Sequence, residues 1–168
     1  RDWSLKLDGQ APRRIELDAA TVDAARAGLD ALDLQALDLA VDNVRRFHAA
    51  IAPADGPTVE VMPGVSCRRV WRPIRAAGLY VPGGTAPLFS TLLMLALPAA
   101  AAGVAERIAV TPPAKGGAEP HPMMLAAAAA AGLDALWLVG GAQAIAALTF
   151  GAGLPKADKL FGPGDGYV

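Results

Sequence analysis

Residues 78–91 read GLYVPGGTAPLFST, and the expected fold class follows from this stretch. It begins with a short apolar run, Gly78–Val81, that is typical of a buried strand. A proline–glycine turn follows at 82–84, and the apolar segment Ser90–Ala102 then has the length of a helix that ends near Gly103. A strand, a glycine turn and a helix in this order predict the first half of a βαβ unit.

The same alternation continues downstream. Further strands are predicted at Arg107–Thr111, Ala135–Val139 and Asp158–Phe161, and further helices at Pro122–Ala131 and Ala142–Phe150. Strands that alternate with helices of about 9 to 13 residues indicate βαβ units on a parallel sheet. The predicted fold class is therefore α/β, with a Rossmann-like parallel sheet and flanking helices.

The first 51 residues are predicted to be largely helical. Apolar residues between Leu34 and Ile51 recur at steps of three and four, which indicates a helix with one buried stripe. The heptad-like spacing suits a helical hairpin or a subunit contact. Asp33 precedes this helix and is expected to be its N-cap.

The clearest linker is APADGP at residues 52–57. It divides the chain into an N-terminal helical segment, residues 1–52, and an incomplete Rossmann-like α/β domain, residues 58–168. The second part is expected to open with two short β-type segments, Thr58–Met62 and Ser66–Ile74.

Composition excludes several classes of protein. The chain has 168 residues, of which 54% are hydrophobic and 18% charged, unlike a disordered chain. Fifteen Lys and Arg against 16 Asp and Glu leave no basic excess for a nucleic-acid partner. The longest apolar runs, Thr91–Ala105 and Met123–Leu133, are shorter than the roughly 18 residues of a membrane span. A single cysteine suits a reducing compartment, so we expect a cytoplasmic protein.

A turn rich in glycine or proline follows each strand from residue 78 onward. The turns are PGG at 82–84, TPP at 111–113, GG at 140–141 and GPG at 162–164. In a parallel sheet they lie along the carboxyl edge, where open α/β folds bind ligands, and glycine lets backbone N–H groups approach a phosphate. We therefore expect a ligand crevice there, although no dinucleotide or Walker pattern identifies the ligand.

Polar side chains beside these turns are few. Tyr80 is near the end of its strand, where its phenol could stack on or hydrogen-bond a planar ligand, or be a core tyrosine with a satisfied hydroxyl. Gln143 is a lone amide among alanines at a helix start, and its hydrogen-bonding sites need partners, which favours a functional role. Asp165 follows Gly164, where turn chemistry alone would explain it.

A metal site built by this chain is not expected. Its one cysteine, Cys67, and its two histidines, His48 and His121, are widely separated, whereas zinc needs three or four ligands. We expect Cys67 to be a buried structural thiol and His48 to be a packed or interface residue.

Several of these motifs resemble those of the histidinol dehydrogenase family. The matching stretches are GLYVPGGTAPLFST at 78–91, VGGAQAIAAL at 139–148 and KLFGPG at 159–164, with shorter matches at 43–48 and 63–65. The resemblance implies an NAD-dependent, zinc-containing enzyme that oxidises L-histidinol through L-histidinal to L-histidine, and it implies a homodimer with intertwined subunits.

The resemblance also implies roles for particular residues. The NAD-contacting Tyr, Gln and Asn of the family fall on Tyr80, Gln143 and Asp165, and the aspartate departs from the usual GPGN motif. The zinc ligands and the catalytic Glu–His pair of the family lie downstream of this turn, so no catalytic or metal-binding residue is expected within the chain. We thus expect an incomplete fragment, inactive by itself. The alternatives are a fragment of a related dehydrogenase for another small alcohol, or a non-catalytic ligand-binding or dimerisation domain.

Overall fold

A computed structural model describes residues 2–83, 87–114 and 119–163. The strands are β1 (Arg13–Glu16), β2 (Val59–Met62), β3 (Val65–Cys67), β4 (Ala76–Tyr80), β5 (Glu106–Thr111), β6 (Ala135–Leu138) and β7 (Lys159–Phe161). The helices are α1 (Asp2–Leu7), α2 (Ala19–Ala27), α3 (Ala31–Ala50), α4 (Phe89–Ala101), α5 (Pro122–Ala130) and α6 (Gly141–Phe150).

Five strands form one sheet in the order β1-β6-β5-β4-β7. The strands β6, β5, β4 and β7 are parallel, whereas β1 runs antiparallel beside β6. The chain moves outward from β4 to β5 and β6, and then returns to the other side of β4 to form β7. This reversal creates a topological switch point, the place where open α/β sheets bind ligands. The predicted α/β fold class is confirmed.

The two faces of the sheet pack into separate cores. Ala77 and Leu79 of β4 face the first core, which α3, α4 and α5 cover. Tyr80 of β4 faces the second core, where it packs with Val110 and with Leu148 of α6. The strand β4 is buried on both faces, as expected for a central strand of a parallel sheet.

The N-terminal helices α2 and α3 follow one another as expected, and both pack onto helices of the α/β part of the chain. Helix α2 packs on α5, and α3 packs on α4 with Leu37 and Val41 in the first core. Residues 13–16 form β1, an edge strand that the helical prediction missed because RRIE contains a single apolar residue. The division into residues 1–52 and 58–168 stays a prediction.

An ion pair holds β1 to the segment before α5. Arg13 donates from both terminal nitrogens to the Glu119 carboxylate, at 2.8 and 2.7 Å. This hydrogen bonding lowers the pKa of Glu119 and raises the pKa of Arg13. Because both side chains are largely exposed, the pair orders the edge more than it stabilises the fold.

Helix α3 begins earlier than the sequence predicts. Asp30 is its N-cap, and the Asp30 carboxylate accepts a hydrogen bond from the Asp33 N–H at 2.7 Å. The prediction of Asp33 as the cap is therefore wrong, because Asp33 already lies in the first turn. Asp18 caps α2 in the same way by accepting from the Thr21 N–H, which lowers the pKa of Asp18.

The strands β2 and β3 form a separate antiparallel hairpin that is exposed along its whole length. The strand predicted over Ser66–Ile74 ends at Cys67, and the Cys67 side chain is exposed rather than buried. The segments before and after the hairpin are joined, because the Asp55 carboxylate accepts a hydrogen bond from the Trp71 N–H at 2.8 Å. Among the described helices, none combines the length and the apolar character needed to cross a membrane.

Gly78 sits where α6 and β7 pack against β4, so we expect a Gly78→Ala variant to lose stability. A Cβ at this position would lie 2.5 Å from a Leu160 methyl carbon and 3.0 Å from one of Leu148. Overpacking of this kind costs about 1–3 kcal/mol of unfolding free energy, measurable by urea unfolding. Gly56→Ala is the control, because its Cβ would meet atoms no closer than 3.5 Å. Equal stabilities of the two variants would contradict the packing described here.

Candidate functional site

The turns that follow the parallel strands meet at one edge of the sheet. A Cβ on Gly83, after β4, would lie 3.0 Å from Cγ of Pro112, after β5. A Cβ on Gly140, after β6, would overlap the same proline ring, and one on Gly162, after β7, would overlap the Tyr80 carbonyl. The expected gathering of these turns along one edge is confirmed for the described residues.

Tyr80 ends β4 at this edge. Its side chain is only 5% exposed and its ring packs in the second core. The hydroxyl oxygen accepts a hydrogen bond from the Gly141 N–H at 3.2 Å. Of the two interpretations of Tyr80, a core tyrosine with a satisfied hydroxyl describes the observed state, and the buried ring leaves no face for stacking. A ligand contact through the Tyr80 hydroxyl stays a prediction.

Gln143 lies on the other side of the same turn, half-buried in the first turn of α6. Its Nε2 donates to Oδ2 of Asp8 at 3.1 Å, and the Gly140 N–H donates to the same oxygen at 3.3 Å. The turn Gly140–Gly141 therefore joins Tyr80, Asp8 and Gln143 in one hydrogen-bonded group.

Gly141 leaves room for the Gln143 carboxamide. Its φ of +62° is in the left-handed region, and a Cβ there would lie 2.8 Å from Oε1 of Gln143. The carboxamide thus folds back over the turn with Nε2 toward Asp8 and Oε1 beside Gly141. No residue with a side chain fits this position without moving Gln143.

Asp8 is the residue of this group that sequence reasoning missed. It follows α1 and precedes Gly9, whose φ is +74°. An Asp-Gly pair predicts a turn, but nothing local relates it to a helix start 132 residues further on. Only the folded chain brings the two together.

The other candidate residues lie elsewhere. Asp165 is outside the described residues, so its contact with a ligand stays a prediction. His121 caps α5, where its Nδ1 accepts from the Met123 N–H at 3.2 Å. His48 is half-buried on α3 and packs edge-on against Phe47. Within residues 2–83, 87–114 and 119–163, no three His, Cys, Asp or Glu side chains are grouped to hold a metal ion.

The site offers chiefly hydrogen-bond acceptors and backbone donors. Oε1 of Gln143 and the Tyr80 hydroxyl are side-chain groups at the turn, while the N–H groups of Ala142 and Gln143 belong to the first turn of α6 and need partners outside the helix. The fold and this site are typical of one class of protein, the α/β domains that bind a small polar ligand outside the carboxyl ends of their strands.

Comparison with known proteins identifies the family. The chain matches the family model described as histidinol dehydrogenase over residues 1–168. It is 45% identical over 170 residues to the histidinol dehydrogenase of Xylella fastidiosa (strain 9a5c) and 43% identical over 171 residues to that of Escherichia coli (strain K12). Both alignments cover 100% of this chain, but only 39% and 38% of the relatives.

A solved structure shows the same architecture. The crystal structure of histidinol dehydrogenase from Elizabethkingia anophelis matches 99% of this chain with a TM-score of 0.88 and 39% sequence identity, and the match covers 38% of that protein. The chain belongs to the histidinol dehydrogenase family. It spans less than two fifths of the length of these relatives.

A Gly141→Ala variant tests the geometry of the turn. We expect it to lose about 1–2 kcal/mol from the left-handed backbone alone, and more because its Cβ would displace Oε1 of Gln143. The measurement is the free energy of unfolding in urea. Gly153→Ala is the matched control, because Gly153 has a φ of +82° and no described atom within 4 Å of its Cβ position. If both variants lose the same free energy, Gln143 does not fold over the turn.

Proposed function

We propose that this chain is the cofactor-side part of an NAD-dependent histidinol dehydrogenase that oxidises L-histidinol through L-histidinal to L-histidine. Family membership supports the class of reaction. The observation that carries the cofactor assignment is the meeting of Tyr80 and Gln143, the positions expected to contact NAD, on the single turn Gly140–Gly141.

The hydrogen-bonding groups of the site fit a nucleotide cofactor. Gln143 and Tyr80 can hydrogen-bond ribose hydroxyls or a carboxamide, and the close turns let a ligand approach the backbone. Bound NAD supplies a hydride acceptor. The part played by this chain is to bind and orient the cofactor at the carboxyl edge of the sheet.

The same proposal places the zinc ligands and the acid–base groups outside this chain. The described residues contain no group of His, Cys, Asp or Glu side chains that could hold the metal ion. The substrate of the complete enzyme is then L-histidinol, its location the cytoplasm and its assembly a homodimer. A dimer is supported by apolar side chains that stand exposed on α3 and on the hairpin, among them Leu39, Phe47, Val59 and Val61.

A Gln143→Ala variant of the complete protein tests the cofactor assignment. We expect the dissociation constant for NAD+ to rise by about 5- to 150-fold, because a polar partner left unpaired on truncation costs about 1–3 kcal/mol. Isothermal titration measures the constant. Gln35→Ala is the control, since Gln35 is exposed on α3 away from the turn. An unchanged constant would show that Gln143 has only a structural role.

Metal analysis tests where the zinc is held. We expect a chain of residues 1–168 that shows a folded circular dichroism spectrum to retain no stoichiometric zinc and to form no NADH from L-histidinol. The complete protein is expected to retain zinc and to form NADH from L-histidinol. Tight zinc binding by residues 1–168 would contradict the proposal, and turnover of other alcohols in place of L-histidinol would favour a related dehydrogenase.

A further inference from the structure

We infer that Asp8 is a positioning residue of the cofactor site, which fixes Gln143 so that its carbonyl oxygen, and not its NH2 group, is presented to the ligand. The inference rests on the proposed function and adds a residue to it. It also assigns the kind of ligand group that lies beside Gln143.

The hydrogen bonds determine the orientation of the carboxamide. A glutamine side chain can present either its oxygen or its nitrogen, and the two ends are distinguished by their partners. A carboxylate oxygen accepts hydrogen bonds, so the group 3.1 Å from Oδ2 of Asp8 is the NH2 of Gln143. Oε1 then lies at the other end, beside Gly141, where it is available to a ligand.

The Asp8 carboxylate is held firmly in place. The Asp8 backbone N–H donates to the Ser4 carbonyl at 2.7 Å, and Ser4 is 1% exposed. The same Oδ2 that holds Gln143 also accepts from the Gly140 N–H at 3.3 Å. The Ser4 bond thus holds the Asp8 backbone, and two donors from residues 140–143 hold its carboxylate at the start of α6.

The negative charge of Asp8 decides which ligand group fits here. A helix N-terminus attracts anions, but at α6 the Asp8 carboxylate already accepts from the Gly140 N–H, and a phosphate beside it would meet a second acceptor-only group. The turn Gly140–Gly141 is therefore not a phosphate-binding turn, contrary to what glycine content alone suggests. The group that meets Oε1 of Gln143 is a neutral donor, either a ribose hydroxyl or an amide N–H.

A double-mutant cycle in the complete protein tests the link between the two residues. Asp8→Ala and Gln143→Ala are each expected to raise the dissociation constant for NAD+ on the order of 10-fold, and the double variant to lose little more than Gln143→Ala alone. Asp2→Ala is the matched control, since Asp2 is an exposed aspartate of the same segment. Thermal unfolding without NAD+ reports on the fold separately.

A reciprocal pair separates positioning from general support of the fold. Gln143→Glu alone places two carboxylates face to face and is expected to weaken NAD+ binding. Adding Asp8→Asn restores the hydrogen bond with donor and acceptor exchanged, because the new amide at position 8 can donate to one oxygen of the new carboxylate at position 143. The second oxygen of that carboxylate still faces the ligand as an acceptor. Binding should recover in the D8N/Q143E variant to within a few-fold of the unmodified protein.

The outcomes are distinct. If the unmodified protein binds NAD+ and Asp8→Ala leaves the affinity unchanged, or if D8N/Q143E binds no better than Gln143→Glu alone, or if the single losses add fully, the inference is overturned and the proposed function stands. If the unmodified protein does not bind NAD+, the proposed function fails and the inference fails with it. If Asp8→Ala does not fold, the NAD+ affinity of D8N/Q143E relative to Gln143→Glu tests the inference in its place.

Discussion

The close approach of backbone segments around Pro112 organises the carboxyl edge of the sheet. The Pro112 ring lies against Gly83 after β4 and against Gly140 after β6. The contact with Gly140 leaves no space for a Cβ. Because the chain is this close, the turn at Gly140–Gly141 reaches the Tyr80 hydroxyl from the next-but-one strand. Larger residues at either glycine would force the strand ends apart and separate the groups of the candidate site.

Because the Tyr80 ring is buried, only its hydroxyl reaches this edge of the sheet. A tyrosine beside a ligand crevice can stack on a planar ligand. Here the ring packs in the second core instead, and the hydroxyl bonds the turn. Gln143 and Asp8 supply the more accessible polar groups. The polarity of the site thus comes from an amide and a carboxylate that belong to opposite ends of the chain.

Sequence reasoning succeeded where the pattern is local. The strands from β4 onward were predictable because each apolar run is bounded by glycine or proline, and Gln143 stood out as a polar residue among alanines. It failed where the decisive contact is distant. The strand β1 contains only Ile15 as an apolar signal, and its place beside β6 depends on the sheet already being formed. Asp8 has the sequence pattern of an ordinary turn residue, and its contacts with Gly140 and Gln143 exist only in the folded chain.

The pairing of β1 with β6 also bears on how the chain reaches its native state. Strand β6 begins more than a hundred residues after β1, and Asp8 meets α6 across 132 residues. Contacts so far apart form slowly, since the intervening chain must first be ordered. During synthesis on the ribosome the amino-terminal residues therefore wait until β6 and α6 have emerged. Until then β1 has no strand to pair with, which makes this the stage at which the nascent chain is most exposed to wrong pairing.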